Sequence, residues 1–145
     1  DPETCELIFP YIGWAGYLTN WKGPAAGERP CSYIFCLLNR NWLKGSEKEA
    51  HFDLGTATQN LLLGAMVKNI GGCRIGAFSP ELINHFDLPT NLELSLIIAL
   101  GYPAEEVEIT DLPSADDIKY WRDEQGVHYV PKRALEDIIV HLPLK

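Results

Sequence analysis

This 145-residue chain is poor in the motifs that announce chemistry. There is no CxxC pair, and its four cysteines stand at 5, 31, 36 and 73. Cys31 and Cys36 fall on one predicted strand, too far apart there to bridge. With His51, His85, His128 and His141 scattered singly, no zinc-ligand spacing appears, and a metal centre is not expected. Reduced thiols in a cytoplasmic protein are the expectation, with Cys73 read as a core thiol. GxSxG is absent, and no serine or cysteine has a context that would activate it. No GxGxxG follows a predicted strand, which argues against a doubly wound dinucleotide fold. No apolar run reaches the ~18–20 residues a membrane span needs. Positive charge is scarce as well: 12 lysines and arginines face 20 acids, for a net charge of −8. Such a surface repels phosphate backbones and anionic membranes, so any bound anion needs a local cationic spot.

What is present suits one α+β domain over 1–145, large enough to bury a core without disulfides or metal. The opening "DPETCELIFP" has neither a basic leader nor a signal-peptide core, and reads like the middle of a chain. Residues 4–9 look like the tail of a helix stopped by Pro10. "YIGWAGYLTNWKGPAAGERP" (11–30) crowds aromatics and glycines into a broken stretch. It either lines a pocket or interface, or folds over a core. "CSYIFCLLN" (31–39) reads as a strand buried on both faces. Ser46 with Glu49 predicts a capping box at the start of a helix. That helix carries Leu54, Ala57, Leu61 and Ala65 on one face, and "LLLGAMV" makes its second half apolar all round. Burial in a core, or against a second subunit, is predicted. Gly55 and Gly64 are then sites of close helix–helix approach, and Asp53, Gln59 and Asn60 form a polar seam.

Gly71 is the predicted left-handed cap of that helix, and "CRIGAF" (73–78) a short strand. Ser79 and Pro80 open a compact helix over 79–86. "LELSLIIALGY" (92–102) is a strand entering the centre of a sheet. Residues 103–117 read as an acidic surface connection, with exposed carboxylate pairs at Glu105/Glu106 and Asp116/Asp117. A hairpin around Asp123–Gly126 follows over 118–133, and then a closing helix or strand. Lys132 and Arg133 are adjacent cations at a strand end, either a plain surface pair or a phosphate site.

Four segments in order, "HFDLGTATQNLLLGAMVKNIGGCRIGAFSPELI", "LELSLIIALGYPAEE", "KYWRDEQGVHYVPKRALEDII" and the upstream "WAGYLTNWKGPAAGERP", resemble the nitroreductase family of FMN-dependent oxidoreductases. The resemblance spans nearly the whole chain, as the central and carboxy-terminal part of the family domain. The family's arginine-bearing first helix and the segment after it have no counterpart in this sequence. It implies a mixed, mainly antiparallel sheet flanked by helices, with a long buried central helix, in a homodimer. It implies FMN as cofactor, NAD(P)H as donor and a small acceptor such as a nitroaromatic or quinone. By the same resemblance Ile75, Gly76 and Ala77 pass beside the flavin ring, and Arg133 with Lys132 holds the FMN phosphate. Since the cofactor carries the chemistry, no catalytic side chain is expected. A flavin-binding protein without turnover, or a flavoenzyme with another reaction, shares this scaffold.

Overall fold

The computed structural model describes residues 1–114 and 117–142. Asp116 of the second carboxylate pair therefore lies outside the described residues, as does the end of the closing segment. The chain divides into two compact units: Asp1–Trp14 with Lys22–Pro103, and Ala15–Trp21 with Ala104–Lys145.

In the first unit, helix α1 (Pro2–Ile8) opens on Asp1, whose carboxylate accepts from the Glu3 and Thr4 amides. Pro10 lies inside a 3-10 turn, Phe9–Tyr11. Three strands form an antiparallel sheet in the order β1 (Ser32–Asn39), β3 (Leu92–Gly101), β2 (Gly71–Ile75). β3 is central, as its unbroken apolar run predicts, and Ile97 and Ile98 are fully buried. Alternation along the strand sends these two to opposite faces. Ile97 and Ala99 pack with Ile8, Ile12, Ile75 and Leu82. The opposite face meets helix α2 (Glu47–Met66). β1 is an edge strand and only half-buried, so burial on both faces does not occur within the chain.

α2 begins at the predicted capping box, with the Ser46 hydroxyl on the Glu49 amide and the Glu49 carboxylate on the Ser46 amide. Arg40 ties this first turn to the sheet. Its guanidinium donates to Glu47 at 2.9 Å and to Glu93 at 2.5 Å. The hydrogen bonds from Arg40 hold the Glu47 carboxyl below its ordinary range.

The all-round burial predicted for α2 is not found among the described residues. Thr58 alone is buried, flanked by half-buried Leu54, Leu61, Leu62 and Ala65, while Ala57, Asp53, Gln59 and Asn60 are exposed. A three-stranded sheet is too narrow to cover more than one helical stripe, so Phe52 (63%) and Met66 (64%) stay in the open. A Cβ at Gly55 or Gly64 would meet no atom within 4 Å, so neither glycine serves a close approach within the chain. The helix end differs too. The left-handed residue is Asn69 (φ 57°), which short polar side chains tolerate, and Gly71 already belongs to β2. The compact element after Ser79 is a 3-10 helix, Pro80–His85, with Ser79 as its N-cap.

In the second unit β6 (His128–Lys132) pairs in parallel with β4 (Val107–Asp111) and antiparallel with β5 (Trp121–Arg122). The 103–117 stretch is thus not a plain connection. Its alternating "VEITD" pairs with β6, which the acidic composition masks. The hairpin stands where expected, with Gly126 at φ 88° in its turn. The closing segment starts as a short helix, α3 (Leu135–Ile138).

Two outcomes follow. Ser46→Ala removes the capping hydroxyl and lowers stability by about 1 kcal/mol, read as a shift in urea midpoint; an unmoved midpoint contradicts the cap. The Tyr33 hydroxyl is buried without a hydrogen-bond partner, and burial, then Cys5 and Glu6, pushes its pKa up to about 12. The folded chain therefore holds this proton more tightly than the unfolded chain. The associated stability is intact below pH ~10 and is lost as pH rises through about 12. Melting temperature against pH should fall less steeply there for Tyr33→Phe than for the parent; identical slopes would contradict it.

Candidate functional site

Three of the five residues expected at a cofactor, Ile75, Gly76 and Ala77, lie where β2 leaves the sheet of the first unit. Ile75 is the last paired residue, opposite Ile97, and its side chain is in the core. Only its backbone is left for any ligand. Gly76 and Ala77 are exposed, and among the described residues their backbone N–H groups make no hydrogen bond. Pairing resumes one residue later against another part of the chain. Gly13 N–H donates to the Ala77 carbonyl at 2.7 Å, Ser79 N–H donates to the Tyr11 carbonyl at 2.8 Å, and Ile12 bridges Phe78. Two consecutive amides are therefore left over between two hydrogen-bonded anchors.

The glycines of "NIGGCRIG" divide by physical cause. At Gly72 a Cβ would collide with Leu62 of α2 and would stand 2.8 Å from Leu100 Cδ2. At Gly71 it would stand 3.0 Å from Pro103 Cγ. Those two serve packing. At Gly76 a Cβ would meet nothing within 4 Å, and the backbone is not left-handed. Neither sterics within the chain nor conformation demands glycine at 76.

Around this point the structure adds a pair the sequence did not single out. The Tyr11 hydroxyl and His85 Nε2 are 2.6 Å apart, with ring centroids at 5.0 Å. A long-range contact of this kind leaves no local pattern to read. Cys73 is exposed, not a core thiol, because it lies on the partly covered strand β2. Cys5, Cys31 and Cys36 carry free thiols.

The other two expected residues, Lys132 and Arg133, lie in the second unit. Lys132 ends β6 in register with Asp111, Arg133 follows it, and both are exposed beside buried Pro131. The strand leading to them is braced by its hairpin. Asp123 accepts from the amides of Gln125 (3.0 Å) and Val127 (2.9 Å) and from the Tyr129 hydroxyl (3.2 Å). That last bond raises the Tyr129 pKa above its ordinary value. Arg122 pairs with Glu105 at 2.5 Å and lies 4.5 Å over the Trp21 ring, while Tyr17 packs on Tyr120. In the first unit Trp14 stacks on Phe9. The aromatics of 11–30 thus pack against side chains of their own units.

A cavity of about 490 Å³ opens on the α2 side of the first sheet. It lies where a bulge inserts Ser95 between the Cys36–Leu96 and Leu37–Leu94 pairs. Leu37, Trp42, Leu43, Ala50, Leu54 and Ser95 line it. None of the five expected residues does.

With this geometry in place, comparison with known families gives one result. The nitroreductase family model matches residues 16–102, more than half of the chain. The chain belongs to the nitroreductase family. No curated protein matches it. Nitroreductase membership points to a flavin-dependent oxidoreductase. The matched nitroreductase segment contains Ile75, Gly76 and Ala77; Lys132 and Arg133 lie beyond it. Among the described residues no helix is long and apolar enough to cross a membrane.

The glycine contrast is testable without any ligand. Gly72→Ala should destabilise the chain by about 1–3 kcal/mol through overpacking, whereas Gly76→Ala should leave the urea midpoint where it is. Equal effects would mean that both glycines serve the fold.

Proposed function

We propose that the protein is an FMN-dependent oxidoreductase, taking electrons from NAD(P)H to a small acceptor such as a nitroaromatic or quinone. The observation that carries this reading is the pair of exposed, unbonded amides at Gly76 and Ala77, next to a glycine that the chain itself does not require. A planar ring laid against the backbone there would explain both: it needs donors, and it needs the space a side chain would take. The chemistry FMN supplies when bound is two-electron hydride transfer. The chain's own part is to bind and orient. Ile75 contributes backbone, Gly76 clearance, and Gly76 and Ala77 hydrogen-bond donors. Arg133, with Lys132, is the proposed phosphate partner, since a guanidinium can meet phosphate oxygens with two parallel bonds.

We further propose a cytoplasmic homodimer. The apolar positions of α2 that the sheet leaves uncovered, Phe52, Leu63 and Met66, suit a second copy, and the free thiols fit a reducing compartment.

Arg133→Ala should weaken FMN by about ten- to a hundred-fold, the value of one or two charge-assisted hydrogen bonds. Riboflavin, lacking the phosphate, should bind as before. Titration of the parent and the variant with both flavins reads this directly, and equal losses would overturn the phosphate role. Bound FMN should bleach with NAD(P)H. A coloured protein that does not bleach would be a flavin binder without turnover.

A further inference from the structure

We propose that Gly13 is a positioning residue for the flavin ring, an inference that rests on the reading of Gly76–Ala77 as the ring-binding backbone. Gly13 belongs to the segment Tyr11–Gly13, which crosses Ala77–Ser79 as a short strap. The strap is itself anchored: Ile12 is buried in the core, and the Tyr11 hydroxyl meets His85 on the 3-10 helix that follows. Gly13 sits closest to the proposed site, with its amide 2.7 Å from the Ala77 carbonyl.

Space, not backbone freedom, explains the glycine. Its φ is not left-handed, but a Cβ would stand 3.0 Å from the Ala77 Cβ and 3.3 Å from the Ala77 oxygen. Any side chain would push the strap and Ala77 apart by a few tenths of an ångström. The amides of Gly76 and Ala77 hang between two fixed points, the Ile75–Ile97 rung and this hydrogen bond. Moving the second point re-aims both donors, and hydrogen bonds weaken steeply with misalignment. Gly13 touches no ligand in this account; it acts through Ala77.

Gly13→Ala in the full chain should weaken FMN and riboflavin alike, by about ten-fold, the worth of one well-made hydrogen bond. It should also shift the visible absorption maximum of the bound flavin. Adding Ala77→Gly keeps the backbone donor at 77 but removes the closer of the two contacts, that with the Ala77 Cβ, and should restore part of the affinity and of the spectrum. A merely structural role would move the melting temperature without moving the spectrum. Parent-like binding by Gly13→Ala overturns the inference while the flavin reading stands. A double variant that folds but stays as weak as Gly13→Ala overturns it too, as does loss of the fold in both variants. If the parent takes up neither flavin, the flavin reading fails and this inference with it.

Discussion

The rung between Ile75 and Ile97 sets the geometry of the proposed ring site at Gly76 and Ala77. Ile97 is fully buried and Ile75 nearly so, and the rung is the last one β2 makes with the central strand. A buried pair of this kind fixes register, because a slip by one residue would turn each side chain to the wrong face. Past it the chain must either find new backbone partners or leave its polar groups to solvent. It does both in turn. Gly76 and Ala77 leave their amides unbonded, and the Tyr11–Gly13 strap then takes up the Ala77 carbonyl and the Ser79 amide. A gap of fixed width between two anchors is the kind of preorganised donor pair that a planar polar ring can use.

The helix on the other face of the sheet shows how far a narrow sheet can go. One stripe of α2 packs on it, with Leu62 close enough to Gly72 that a Cβ there would have to displace it. The remaining apolar positions are exposed in the single chain. Hydrophobic burial is the main driving force of folding and association, so these uncovered apolar positions favour association. The capping box and the Arg40 links to Glu47 and Glu93 hold the helix in place from its amino-terminal end.

Local patterns made much of this fold legible. The apolar run of β3, the Ser46–Glu49 box, the Ser79–Pro80 start and the Asp123–Gly126 turn each depend on neighbours in sequence, and each stands in the structure. β4 was hidden because its acidic alternation reads equally well as a solvated loop. Of the two covers predicted for α2, the chain's own core supplies only one stripe, because periodicity gives the apolar arc of a helix but not the width of what covers it. For the site, adjacent cations at 132–133 already allowed a phosphate reading, whereas the flavin role of 75–77 came only through family resemblance. Glycine at 71, 72 and 76 looks alike in sequence, and only the fold separates the two that are packed from the one facing open space. The strap and the Tyr11–His85 pair join residues far apart in the chain, so no local motif marks them.

The central claim is that the amides of Gly76 and Ala77 are kept open for the cofactor. Amide-resolved NMR of the ¹⁵N-labelled protein tests it most directly. Without flavin, both amides should exchange rapidly with solvent. On addition of FMN, both should shift and gain protection, while Gly72 on the packed part of β2 changes little. Saturable FMN binding that leaves the Gly76 and Ala77 signals unmoved would contradict the account.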